Sequence, residues 1–239
     1  MGTWDHGLLD NDTAPDGLGD LVQSLLTDVE QIGAARPTLA TTAKLIAALG
    51  LLLQLSAYSF EAQGPAQTIA VAVRAHAASI ASFPPPVRRI LGEVAAGRGV
   101  ALARRPARMA ALTPLLHVGA EQSPFGKREP SLFVSDAGAA HVQRFARRCV
   151  RMIDDDLADE STWSDLCRES PGMGALAALL VVAPCRVSPT KIEGWRRKAR
   201  KGLAALEAAA DEELPFQRLY YANLDRVFAA LLRRFRAGT

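Results

Sequence analysis

The sequence comprises 239 residues, of which 49% are hydrophobic and 22% are charged. This composition is sufficient for one large domain or two smaller ones, and it excludes a disordered chain and a small disulfide-stabilised domain. The net charge of +3 is unevenly distributed, because the first 35 residues contain seven acidic side chains and no lysine or arginine, whereas the remainder is strongly basic.

Helical periodicity runs through almost the whole chain. The 43 alanines favour helix, and the alternation of polar and apolar residues that is typical of strands is nearly absent. We therefore predict an all-α protein, an irregular bundle of about eight to ten helices. The predicted helices cover, in chain order, residues 13–35, 38–60, 66–82, 87–96, 107–117, 135–157, 173–182, 189–210 and 214–235.

The first predicted helix is amphipathic. Thr13 and Asp16 fit a capping box, and Pro15 lies in the first turn. The apolar residues recur at intervals of three and four, as expected for one buried face. They are Leu18, Leu21, Val22, Leu25, Leu26, Val29 and Ile32.

A long loop divides the predicted helices into two groups. Residues 119–134 are rich in turn-forming residues. We predict a helical subdomain over residues 1–118 and a second over residues 135–239, with one compact domain as the alternative.

The cysteines and the hydropathy pattern indicate a cytoplasmic protein without a membrane span. Cys149, Cys167 and Cys185 form no C-x-x-C pair, as is typical of a reducing compartment. The acidic residues 1–20 do not resemble a signal peptide. The most apolar stretch, residues 45–60, is shorter than the roughly 20 residues that a transmembrane helix needs.

The sequence contains no motif that predicts a catalytic residue, a metal or a cofactor. The four histidines are scattered, without the H-x-x-x-H spacing of a zinc site. Residues 172–177 match the G-x-G-x-x-A dinucleotide string, but no strand precedes them. Ser170 lacks the first glycine of a G-x-S-x-G elbow. We therefore expect a protein without an active site of a recognisable type.

A basic segment near the C-terminus is a candidate for nucleic-acid binding. Its cations, beside Trp195, are Lys191, Arg196, Arg197, Lys198, Arg200 and Lys201. Such a helix can follow phosphates. Acidic residues adjoin it, however, including Glu193 and the run 211–213. A solvated helix face is therefore the favoured interpretation, with nucleic-acid binding as the alternative.

The N-terminal motif resembles a known family. Residues 4–16 read Trp-Asp-His-Gly-Leu-Leu-Asp-Asn-Asp-Thr-Ala-Pro-Asp. They resemble the opening of a bacterial family, domain of unknown function 4259, whose members typically begin Trp-Gly-x-Gly-x-Phe-x-Asn-Asp-x-Ala-x-Asp. The matching positions are Trp4, Gly7, Asn11, Asp12, Ala14 and Asp16, and the departures are Asp5 and Leu9. The function of the family is not established, so the resemblance implies no reaction.

The residues of this motif have two interpretations. In the structural one, which is favoured, Trp4 inserts into the bundle, Gly7 permits a turn, Leu9 anchors the chain and Thr13 caps the helix. In the functional one, the motif is an acidic docking surface for a basic partner. That surface consists of Asp5, Asp10, Asn11, Asp12, Asp16 and Asp20.

These observations favour a non-enzymatic interaction protein, most concretely an immunity or antitoxin-type inhibitor that binds a toxin or effector. One alternative is a metal-dependent hydrolase or nuclease that holds a divalent ion near Asp10 and Asp12. The other is nucleic-acid binding through residues 191–201.

Overall fold

The computed structural model describes Leu9 and residues 13–55, 66–96, 136–158, 170–182, 186–209 and 214–236. These residues form nine helices and no strand, so the prediction of an all-α fold with eight to ten helices is confirmed. The predicted helix over 107–117 and the loop over 119–134 lie outside the described residues.

The helices are numbered in chain order. They are α1 Ala14–Ala34, α2 Leu39–Leu55, α3 Ala66–Ala75, α4 Ala77–Ile80, α5 Pro85–Ala95, α6 Asp136–Asp156, α7 Pro171–Val181, α8 Pro189–Ala209 and α9 Leu214–Arg236. One predicted helix, over 66–82, is divided into α3 and α4 at His76, whose backbone angles (φ −96°, ψ 6°) depart from helical values.

The described residues divide into two compact units. Unit 1 contains Leu9, residues 13–18, the C-terminal part of α6 from Ala146 onwards, and α7 to α9. Unit 2 contains the rest of α1, α2 to α5, and α6 up to Phe145. Both units combine segments from the two sides of residues 119–134, and the division into 1–118 and 135–239 stays a prediction.

The core of unit 1 forms around α7. Residues 172–180 of this helix are all buried, because its sequence is apolar on every side. α9 contacts both α7 and α8. The largest side chains of the core are Trp195 on α8 and Tyr220 and Phe228 on α9.

The core of unit 2 contains α2. Its side chains at Leu45, Ile46 and Leu49 have no exposed surface. His76 is also fully buried, with Nδ1 2.8 Å from Thr42 Oγ1 and Nε2 3.2 Å from the Ile32 carbonyl oxygen. Because a carbonyl oxygen can only accept a hydrogen bond, Nε2 donates to the Ile32 carbonyl. Nδ1 then accepts a hydrogen bond from the Thr42 hydroxyl.

The hydropathy of these helices bears on the membrane prediction. In the part of the chain that the structure describes, no helix combines the length and apolar character needed to cross a bilayer.

Candidate functional site

The start of α1 docks against the start of α7 within unit 1. The Thr13 Oγ1 accepts the backbone N–H of Ser170 at 2.5 Å, and Leu9 is 3% exposed. Thr13 and Leu9 of the N-terminal motif therefore make contacts within unit 1. The motif residues Trp4, Asp5, Gly7, Asp10, Asn11 and Asp12 lie outside the described residues.

Asp156, at the end of α6, completes this junction. Its Oδ2 accepts a hydrogen bond from the Ser170 hydroxyl and a second from the Gly172 backbone N–H, the second with an N–O distance of 2.6 Å. The carboxylate thus satisfies an N–H that the first turn of α7 leaves without a helical partner. Burial raises the pKa of Asp156, and the two hydrogen bonds oppose that rise.

Ser170 is placed for structure rather than for nucleophilic attack. The residue has no exposed surface, and its hydroxyl proton is directed at Asp156. A nucleophilic serine needs access to substrate and an adjacent base that is itself oriented by a third group. The contacts of Ser170 instead join α6, α7 and the residue before α1.

Two glycines allow α1 and α7 to approach closely. A Cβ on Gly17 would overlap the backbone of Pro171, and a Cβ on Gly174 would overlap the backbone of Ala14 and Leu18. Gly172 is similarly confined by Met152 and Asp156. The glycines at 172 and 174 therefore allow the close packing of α7 against α6 and α1.

The outer face of α1 carries the two residues of the predicted acidic docking surface that the structure describes, Asp16 and Asp20. Asp16 and Asp20 are exposed and lie one helical turn apart. Leu18, Leu21 and Val22 on the opposite side have no exposed surface. Further along the outer face, the side chains are also polar and exposed: Gln23, Thr27, Glu30 and Gln31.

The predicted basic segment is α8, and most of its cations have partners inside unit 1. Asp225 on α9 accepts Arg196 Nε at 2.6 Å and Nη2 at 2.7 Å, and it accepts Arg200 Nε at 2.9 Å. The hydrogen bond from Arg196, followed by that from Arg200, lowers the pKa of Asp225 to about 2 against the effect of burial. This pair of arginines therefore neutralises a carboxylate of the neighbouring helix.

Two further cations of α8 reach the end of α6. Lys191 Nζ lies 2.6 Å from Asp154 Oδ2, and Trp195 Nε1 donates to the other oxygen of the same carboxylate at 2.8 Å. Lys198 Nζ donates to the Leu157 carbonyl at 3.1 Å. Within unit 1, protein groups thus contact at least four of the six predicted nucleic-acid-binding cations, namely Lys191, Arg196, Lys198 and Arg200.

Sequence reasoning did not identify one polar cluster, which lies in unit 2. His141 on α6 is 3% exposed. Its Nδ1 lies 3.0 Å from Arg144 Nη2, and its Nε2 lies 3.4 Å from Asp28 Oδ2 on α1. The distance between Asp28 and His141 along the chain leaves no spacing signal, so only the fold brings them together.

The described residues hold no group of three or more histidine, cysteine, aspartate or glutamate side chains arranged for a metal ion. Asp10 and Asp12, which the hydrolase hypothesis requires, are not among them. The metal hypothesis therefore stays a prediction.

Comparison with known proteins gives no relative. No family model, no curated protein and no solved structure matches the chain. The similarity of residues 4–16 to domain of unknown function 4259 stays an expectation drawn from the motif.

Proposed function

We propose that this protein is a non-enzymatic interaction protein that binds a basic protein partner through the acidic outer face of α1. The observation that carries the proposal is the exposure of Asp16 and Asp20, one turn apart on a helix whose other side is buried. The most concrete form of the proposal is an immunity or antitoxin-type inhibitor in the cytoplasm, whose partner is a toxin or effector.

The burial of α1 supports this proposal on energetic grounds. Leu18, Leu21, Val22, Leu25 and Val29 are at most 1% exposed, so the backbone that carries the two carboxylates is held in place. A fixed backbone reduces the conformational entropy that association costs. Negative charge on such a face also accelerates encounter with a positively charged partner and selects against acidic ones.

The engagement of the other polar groups supports the same proposal. Ser170 donates a hydrogen bond to Asp156 at a helix junction. The arginines at 196 and 200 donate hydrogen bonds to Asp225. These groups stabilise contacts between helices. Asp16 and Asp20 are instead exposed on α1, where a partner has access to them.

The test is affinity capture from the native host, followed by binding measurements with the purified partner. Asp16→Asn and Asp20→Asn together remove two charges while keeping side-chain size. We expect the double variant to lose at least about tenfold in association rate at low salt, because long-range attraction between opposite charges is what the substitutions remove. The difference should shrink as the salt concentration rises to about 0.5 M.

A matched control is the double variant Glu193→Gln with Glu207→Gln, which removes two exposed charges from α8. It should bind as the unmodified protein does. Capture that returns no stoichiometric partner, or equal losses in the two double variants, would contradict the proposal.

A further inference from the structure

His141 is a buried histidine surrounded by charges from three helices of unit 2. Asp28 on α1 lies 3.4 Å from its Nε2. Arg144, one turn along α6, lies 3.0 Å from its Nδ1. Lys44 on α2 also acts on it electrostatically. The ring, which is 3% exposed, therefore lies within 3.4 Å of one cationic and one anionic side chain, and the positive charge of Lys44 adds to the field that it experiences.

The contact with Arg144 determines the protonation state of the ring. A guanidinium has only donors, so Nδ1 must accept and cannot carry a proton. The single proton of the neutral ring is then on Nε2. Nε2 faces Asp28 at 3.4 Å but makes no hydrogen bond within the described residues. The resting arrangement is thus a neutral His141 that accepts from Arg144 and leaves its own donor unsatisfied.

A second proton would reverse these contacts. It would occupy Nδ1, which would then no longer accept from Arg144. The cluster would contain three cations, on His141, Arg144 and Lys44, against the one carboxylate of Asp28. The positive charges of His141 and Arg144, whose Nδ1 and Nη2 lie 3.0 Å apart, would repel one another. The charged Nε2–H would instead be attracted to Asp28.

We propose that this cluster is a pH-sensitive switch. When His141 takes up a proton, its imidazole loses the contact with Arg144 and pairs with Asp28. This change loosens residues 136–145 within unit 2 on acidification.

The expected pH range follows from the surroundings of the ring. Burial lowers the pKa of His141 below 6.5, Asp28 opposes this effect, and Arg144 and Lys44 reinforce it. The unfolded chain therefore binds this proton at a higher pH than the folded protein does. Consequently the free energy of unfolding is highest above pH 6.5 and decreases as the pH falls from there to the pKa in the folded state.

The test is a nuclear magnetic resonance titration of the full chain from about pH 8 to about pH 4.5, following the imidazole Cε1–H and the Arg144 Nε–H signals. His141→Gln identifies the imidazole signal by its loss. We expect the His141 midpoint below 6.5, with the Arg144 signal changing or broadening at the same midpoint.

Two variants separate the roles of the neighbours. Arg144→Gln keeps an N–H donor for Nδ1 but removes the positive charge, so the His141 midpoint should move to higher pH. Asp28→Asn removes the anion that favours the charged ring, so the midpoint should move to lower pH. Arg147→Gln is the matched control, because Arg147 is exposed on the same helix, and it should leave the midpoint unchanged.

Two results would contradict the proposal that protonation of His141 releases Arg144. One is an Arg144 signal that stays constant through the His141 titration of the unmodified protein, a measurement that needs no variant to fold. The other is a midpoint that responds equally to Arg144→Gln and Arg147→Gln, since this would leave no specific contact between His141 and Arg144.

Discussion

At the scale of single residues, some polar side chains satisfy hydrogen-bonding groups that the helix ends leave unpaired. Asp156 illustrates this role, because one of its oxygens accepts from both the Ser170 hydroxyl and the Gly172 N–H. Helix termini leave such N–H groups without partners, and a buried one is costly unless a side chain accepts from it.

Asp156 offers a pair of substitutions that separates charge from hydrogen bonding. Asp156→Ala should lower the free energy of unfolding by about 1–3 kcal/mol, because it leaves buried donors unsatisfied. Asp156→Asn keeps an acceptor oxygen and removes a charge that burial disfavours, so its loss should be clearly smaller. Chemical denaturation of both variants at neutral pH measures the difference. Equal losses would show that the carboxylate does not act as an acceptor at this junction.

Single residues could be predicted from the sequence only in part. Thr13 is identifiable as a helix-start residue from the capping pattern, but its acceptance of the Ser170 N–H is not, because the two residues lie 157 positions apart. The cluster of Asp28, His141 and Arg144 is similarly hidden, since its members are polar residues on two separate helices whose mutual rotation is set by packing.

At the scale of helices, the apolar patterns predicted most of the described elements, because burial of apolar side chains stabilises the helices that carry them. The pattern of leucines in α1 identified a face that is almost completely buried. The uniformly apolar α7 is buried on every side. The predicted helix over 66–82 was wrong in its continuity, since the backbone departs from helical values at the buried His76.

The contact between α1 and α7 depends on glycine at two positions. Gly174→Ala should lower the free energy of unfolding by about 1–3 kcal/mol, because its Cβ would overlap backbone atoms that no rotamer change can move away. Gly194→Ala on α8 is the matched control, since its Cβ would meet no atom within 4 Å. The control should be neutral or stabilising by about 0.5–1 kcal/mol, as alanine favours helix over glycine.

Thermal and chemical unfolding of the two glycine variants provide the measurement. A Gly174→Ala variant as stable as Gly194→Ala would mean that α1 and α7 do not approach as closely as Gly17 and Gly174 allow.

At the scale of the whole molecule, charge is arranged differently on different helices. The arginines at 196 and 200 are paired with Asp225 within unit 1, whereas Asp16 and Asp20 are exposed on α1. The net charge of the chain is therefore a poor guide to how strongly its surface attracts a charged partner, because paired cations contribute much less to long-range attraction than unpaired ones.

Acid unfolding of the molecule tests the pairing of Asp225. Its pKa is lowered to about 2 from an ordinary 3.8, so the folded state binds this proton at a lower pH than the unfolded state. The stability that Asp225 contributes is complete above 3.8 and is lost as the pH falls from there towards 2. Asp225→Asn should therefore weaken the dependence of the free energy of unfolding on pH in this range.

The double variant Arg196→Gln with Arg200→Gln is the companion to that experiment. It returns the Asp225 carboxyl towards its ordinary pKa, and it should flatten the same part of the stability curve. Curves that keep the slope of the unmodified protein in both variants would contradict the pairing.

The sequence by itself determined the all-α class, the approximate bounds of most helices and the acidic character of α1, because these follow from the local spacing of apolar and charged residues. Only the tertiary structure decided which polar groups are paired. Asp225 accepts hydrogen bonds from arginines 25 and 29 positions away, and Thr13 contacts Ser170, 157 positions away. Such partners are chosen by how the helices pack, and packing depends on contacts between distant segments that local patterns do not encode.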